Sequence, residues 1–230
     1  MKYILKNDFK INVGFDVTAD YVIESIQLTN KMLHDLPSTL YRSIDYKTTS
    51  AIVGAVFCDR MASKADCIVN PIEKGHPDLI GKEGADCTEE ELRNYLDGLE
   101  IKATVGNIEK GANLRAGESR IEKLEGITWQ AHHREVKKLL GLVWDFVSCG
   151  HVFNYPVVTG VFCATDLVVE DWGKISGTEG RNTKVSGMRS SGKAKMGTGW
   201  VVLIAIDKYV EAYSKILGFK RSDLSQIPPV

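Results

Sequence analysis

Residues 99–104, Leu99-Glu100-Ile101-Lys102-Ala103-Thr104, alternate in character at every step. In an extended chain Leu99, Ile101 and Ala103 point one way, and Glu100, Lys102 and Thr104 the other. The segment therefore reads as a strand whose polar face carries a carboxylate and an ammonium, roughly 7 Å apart by strand geometry. Upstream, His76-Pro77-Asp78-Leu79-Ile80 sets a second carboxylate at the tip of another short apolar run, and an acidic connector joins the two. An isolated acid-x-Lys is usually a solvated strand face. With Asp78 beside it, the pair becomes a candidate metal site.

The punctuation around this stretch is regular. Ile11, Val13, Phe15 and Val17 alternate in a strand or loop that enters a helix. Thr18 or Asp20 caps that helix, Val22, Ile26 and Leu33 line one side, and Pro37 lies beyond its end. A second helix is expected over residues 49–63. Its run 51–57 is apolar all round, so this helix should be buried, with Gly54 allowing close packing. Residues 67–72 read as a strand, 73–75 as a turn, and the Asp78 segment as the hairpin partner. Thr88-Glu89-Glu90-Glu91 opens a short surface helix with Thr88 as its cap. Residues 105–120 read as a polar loop. Strands are expected within 139–147, 157–164 and 200–206, and Asp207 caps a closing helix that stops at Gly218. The order predicts an α/β (α+β) chain with residues 1–230 forming one domain.

Composition limits the setting. A hydrophobic content of 43% and a charged content of 26% are those of an ordinary soluble globular protein. There is no run of about 18 apolar residues, so no membrane span is expected, and the first eight residues lack a signal-peptide core. Five cysteines, at 58, 67, 87, 149 and 163, form no Cys-x-x-Cys pair. That fits reduced thiols in a cytoplasm better than a disulfide framework or a zinc site. A net charge of −1 neither points to nucleic acid nor excludes it, so a DNA surface would have to be a local basic patch.

Residues 174–199 offer such a patch, with six basic residues, one acid (Glu179) and six glycines. Arg181-Asn182-Thr183-Lys184 and Arg189-Ser190-Ser191-Gly192-Lys193-Ala194-Lys195 combine cations with small hydrogen-bonding side chains. That chemistry serves phosphate contacts, and Arg or Asn can also read purine edges. The tract is expected to be a DNA-contacting insertion that projects from the sheet as a loop. Residues 187–194 nearly match a phosphate-binding P-loop. Ala194 replaces the required Ser or Thr, however, and Gly197 and Gly199 are expected to interrupt any following helix, so that reading is set aside.

Pro77-Asp78 and Glu100-Ile101-Lys102 resemble the signature of the PD-(D/E)XK nuclease superfamily. The wider pattern comprises a helix with Ser50 and Gly54, Asn70-Pro71, Gly75-His76-Pro77-Asp78, Leu99 to Thr104, and Trp129-Gln130. Over about residues 48–147 it resembles type II restriction endonucleases. The resemblance implies a restriction-endonuclease-like fold, a central mixed β-sheet flanked by helices. It also implies Mg²⁺-dependent cleavage of double-stranded DNA at a short specific site by a homodimer in a prokaryotic cytoplasm. Asp78, Glu100 and the Ile101 carbonyl would hold the metal, and Lys102 would orient or help deprotonate the attacking water. In the family the attack is in line and leaves a 5′-phosphate and a 3′-hydroxyl. Many relatives carry one more acid on a preceding helix. Asp59 is the candidate here and Glu24 the alternative, although each also reads as a surface or salt-bridge residue. His76 is a candidate phosphate contact or a turn histidine with a local hydrogen bond, and Gln130 a candidate DNA contact. Two rivals remain at this stage: a repair or junction-resolving nuclease with the same metal site, and a non-catalytic DNA-binding protein.

Overall fold

Alternation fails along residues 139–147 because both faces of that strand are covered. The computed structural model describes residues 1–73, 75–131, 135–148, 150, 153–175, 185–220, 222 and 224. The chain opens with three short strands, β1 (Tyr3–Leu5), β2 (Lys10–Asn12) and β3 (Asp16–Thr18), followed by helices α1 (Ala19–Asp35), α2 (Ser38–Ser43) and α3 (Tyr46–Ala62). A hairpin of β4 (Cys67–Val69) and β5 (Leu79–Gly81) leads through α4 (Glu89–Arg93) to β6 (Glu100–Thr104). β7 (Asn107–Ile108), β8 (Leu124–Gly126) and β9 (Gln130–Ala131) precede the long strands β10 (Leu139–Ser148) and β11 (Asn154–Ala164). β12 (Ser186–Gly187), α5 (Ser190–Thr198), β13 (Trp200–Ile204) and α6 (Asp207–Leu217) complete the order.

Five strands form one mixed sheet in the order β1-β13-β11-β10-β6. Only β6 and β10 run parallel, and the other neighbours are antiparallel. Every residue of β10 from Leu139 to Val147 is buried, as is all of β13, which is what two-sided cover produces. Helices α1 and α3 pack on each other and on β11 and β6, whereas α5 and α6 pack on each other and on β11 and β13. One continuous cluster of buried side chains runs from Tyr3 to Leu224. The chain is thus an α+β assembly built on a mixed sheet. No helix among the described residues is long and apolar enough to cross a membrane. Cys58, Cys67, Cys87 and Cys163 are free thiols.

Local signals placed most elements. Thr18 caps α1, accepting from Tyr21 N at 3.3 Å, and Val22, Ile26 and Leu33 are buried. Thr88 and Glu91 form a reciprocal capping box on α4. Gly218 ends α6 in the left-handed region, with φ of 75°. Asp207 is the first residue of α6 rather than its cap.

Other expectations need correction too, among them the strand over residues 67–72, which is shorter and ends at Val69. The second helix starts earlier, at Tyr46, because Asp45 caps it with a 2.6 Å bond from Thr48 N. That helix is not buried all round either. Val53, Phe57 and Met61 face the core, but Ala51 and Ala55 are exposed along an open cleft. Helix α2 was not anticipated, since Pro37 read as a stop for α1 and in fact opens the next helix. The tract 174–199 is not wholly a loop, because residues 190–198 form α5. Its glycines are tolerated where neighbours come close: a Cβ on Gly192 would overlap Met188, and one on Gly197 the Leu217 backbone. Tertiary packing overrides helix propensity here.

The polar segment 105–120 also acquires structure. β7 pairs with β8, and the loop between them is anchored by the buried Asp145 of β10. The Asp145 carboxylate accepts from Ser119 Oγ at 3.0 Å, Arg120 N at 2.9 Å, Ile121 N at 3.1 Å and Tyr209 OH at 3.0 Å.

Candidate active site

β6 is the last strand of the sheet, so the N–H and C=O groups on its outer side have no strand partner along most of its length. Glu100 N faces inward and donates to Lys138 O at 3.1 Å. Ile101 N faces outward, and Asp78 Oδ2 accepts it at 2.7 Å. The Ile101 carbonyl points to that same outer side, because the two polar groups of a strand residue share a direction. One step earlier, Leu79 and Leu99 exchange backbone hydrogen bonds of 3.1 and 2.9 Å, which ties the β4–β5 hairpin to β6. The sequence positions the hairpin in a definite way. Asn70, almost fully buried, donates to Pro77 O at 3.2 Å and to Leu92 O at 2.8 Å, and its Oδ1 accepts from Ile72 N. A Cβ on Gly75 would overlap the Asn70 amide, so the turn needs glycine there. Asn70-Pro71 and Gly75 therefore hold the loop that delivers Asp78.

Asp78 and Lys102 line an open cleft of about 680 Å³ together with Gln130. Its other wall is one face of α3, formed by Lys47, Ser50, Ala51, Gly54, Ala55 and Cys58. Glu100 leans toward Asp78 and His76, and His76 Nδ1 lies 3.3 Å from Glu100 Oε2. Burial, with the Glu100 charge second, pushes the Asp78 carboxyl up to about 7. The hydrogen bond with Glu100 raises the His76 pKa. Lys102 is half-buried with no ion pair or hydrogen bond among the described residues, and its burial lowers its pKa. Glu100 and Asp78 act the other way and favour the charged ammonium.

Compared with family models, with curated proteins and with solved structures, the chain matches none.

Whether the residues suit a hard divalent cation follows from the donors. Asp78 Oδ1 and Glu100 Oε1 have no protein partner among the described residues, and the Ile101 carbonyl lies on the same free edge. The raised pKa of Asp78 records burial first and repulsion from Glu100 second, and a bound cation would offset both. Among the described residues no group of three or more His, Cys, Asp or Glu side chains is placed to hold a metal. The set is two carboxylates and a carbonyl, which suits Mg²⁺, an ion that keeps several waters. The donor chemistry fits.

The remaining candidates separate clearly. Gln130 reaches the cleft because Trp129 is fully buried against β10, where a Cβ on Gly141 would overlap its ring. Gln130 also pairs with Gly187 in the β9–β12 ribbon, which brings Arg189 close in sequence to the cleft wall. Arg189 and Lys193 are exposed and have no acidic partner among the described residues. Lys195 is already committed, to Asp171 at 2.9 Å and Asp166 at 3.5 Å. Arg181, Asn182 and Lys184 lie outside the described residues. Neither proposed extra acid lines the cleft: Asp59 is exposed beside Arg60 at 3.5 Å, and Glu24 pairs with Lys64 at 2.8 Å. The α3 face turned to the cleft carries no carboxylate at all. Near its C-terminal end stands Cys58, whose thiol burial pushes well above its usual pKa, with Asp78 and Glu100 adding to the effect.

Sequence reasoning missed Lys47 and Cys58. Their signal was the spacing 47, 50, 51, 54, 55, 58, one helix face by period, but its content of small residues reads as core.

Proposed function

We propose that this chain is a Mg²⁺-dependent type II restriction endonuclease with a restriction-endonuclease-like fold. The observation that carries the reading is that Asp78 and Lys102, which has no side-chain partner among the described residues, line one cleft at the free edge of the sheet, with Glu100 close enough to raise the Asp78 pKa. Phosphodiester hydrolysis needs negative charge balanced at the phosphate and a water made nucleophilic. When bound, Mg²⁺ supplies both, as a Lewis acid and as a means of acidifying water. Asp78, Glu100 and the Ile101 carbonyl would hold it. Asp78 is oriented by the Ile101 N–H, and Glu100 by His76. Lys102 lies within the cleft, where its ammonium can orient the attacking water. Its lowered pKa brings the amine nearer to accepting a proton from that water.

Double-stranded DNA is the proposed substrate. Gln130 stands on the cleft wall, and the ribbon it shares with Gly187 leads to Arg189 and Lys193, which can meet bases or phosphates. A short palindromic site is matched by two-fold protein symmetry, so the working form is a homodimer, in the cytoplasm of a prokaryotic cell. The test is digestion of a plasmid of known sequence with Mg²⁺ present. Discrete fragments with 5′-phosphate ends at one repeated short sequence are expected. Intact plasmid, or a smear without preferred ends, would contradict the reading.

A further inference from the structure

We propose that Lys47 binds a backbone phosphate of the DNA beside the cleavage centre, an inference that rests on the nuclease reading. Lys47 lines the same cleft as Asp78 and Lys102, from the first turn of α3. Its side chain is exposed and makes no ion pair or hydrogen bond among the described residues. The nearby Asp45 makes no close ion pair with it: its Oδ1 accepts the Thr48 N–H at 2.6 Å, and the Lys47 charge adds only a smaller effect to the lowered Asp45 pKa. A cation in the first turn of a helix opposes the helix dipole, so the helix itself does not favour Lys47 at this position.

The rest of that face says what could approach. Ser50, Ala51, Gly54 and Ala55 follow Lys47 along the cleft. Side chains this small leave room for a sugar-phosphate chain to lie close to the helix, with Lys47 at one end and Lys102 on the floor. Lys47 is also near enough to Lys102 for its charge to help hold that pKa down. A hydrated point charge on a flexible stem suits a phosphate contact that carries no sequence information. Lys47 is thus a positioning residue that fixes where the DNA backbone sits over Asp78 and Glu100.

The experiment measures binding to a duplex that the wild-type chain cuts, with Ca²⁺ in place of Mg²⁺, as a function of salt. Lys47→Ala should weaken binding severalfold and reduce the slope of log affinity against log salt by about one. Lys47→Arg should restore both. Lys31→Ala removes the same charge from a lysine outside the cleft, one paired with Asp35, and should leave the slope unchanged. If Lys47→Ala binds with the wild-type slope while the wild type still cleaves, the inference about Lys47 is overturned and the nuclease reading stands. If the wild type neither binds nor cuts duplex DNA, the nuclease reading fails and this inference goes with it.

Discussion

At Asp78 the fold and the chemistry pull against each other. Burial and Glu100 push its pKa up to about 7, from 3.8 in an unstructured chain. The folded form therefore holds this proton more tightly than the unfolded one. In the metal-free protein the group costs stability as pH rises from about 4 to about 7, and the cost levels off above that. A cation that needs Asp78 ionised competes with the proton. Affinity for Ca²⁺ or Mg²⁺ should climb with pH up to about 7 and then flatten, with proton release on binding below that point. Titration calorimetry at several pH values checks this, and a pH-independent affinity between about pH 5 and pH 8 would contradict it. Glu100 and Lys102 were legible as neighbours on one strand face because alternation fixes direction one residue at a time, and Asp78 as an acid at the tip of a nearby apolar run. Lys47 was not, because its position at the cleft depends on how α3 is rotated against β6, and that is a tertiary fact. That the candidates for an additional acid, Asp59 and Glu24, do not line the cleft was not legible either, for the same reason. Asp59 is next to Cys58 in sequence, but one helical step turns it by about 100° and out of the cleft.

Among the elements, those with a cap and a period were readable and those made by packing were not. Helices α1, α4 and α6 carry their own start or stop signals, and Pro71 and Gly75 mark the loop of the β4–β5 hairpin. Helix α5 contains Gly192 and Gly197, so local propensity argued against it, and contacts with Met188 and Leu217 decided otherwise. The excursion between β6 and β9 looked like a free loop because its anchor, Asp145, lies far along the chain. That carboxylate is almost fully buried and serves donors from the 119–121 segment and from α6. Removing it leaves several buried donors unpaired at once. Asp145→Ala should destabilise the chain by about 3 kcal/mol, and Asp145→Asn, which keeps acceptor capacity, by less. Chemical denaturation of the metal-free protein measures both, and equal stability of Asp145→Ala and wild type would show the network to be dispensable.

Across the whole molecule, the sheet order explains where a site can be. β1 and β6 end the five-stranded sheet, and only β6 meets a hairpin that carries an acid to its free side. The order of helices and strands, and the α+β class, were legible from periodicity and turn residues. The register was not, because no local pattern says that β6 runs parallel to β10 while β11 reverses. The basic tract divides along the same line: Lys195 is absorbed into the fold by Asp171, whereas Arg189 and Lys193 stay exposed beside the Gln130 ribbon. On the proposed reading each chain would hold one cleavage centre, so cutting both strands of a duplex would call for two chains. The most direct measurement compares wild type and Lys102→Ala on a plasmid with Mg²⁺, alongside binding of a duplex in Ca²⁺. The account predicts that the variant loses cleavage by about a hundredfold or more while it still binds DNA. Undiminished cleavage by Lys102→Ala would contradict it.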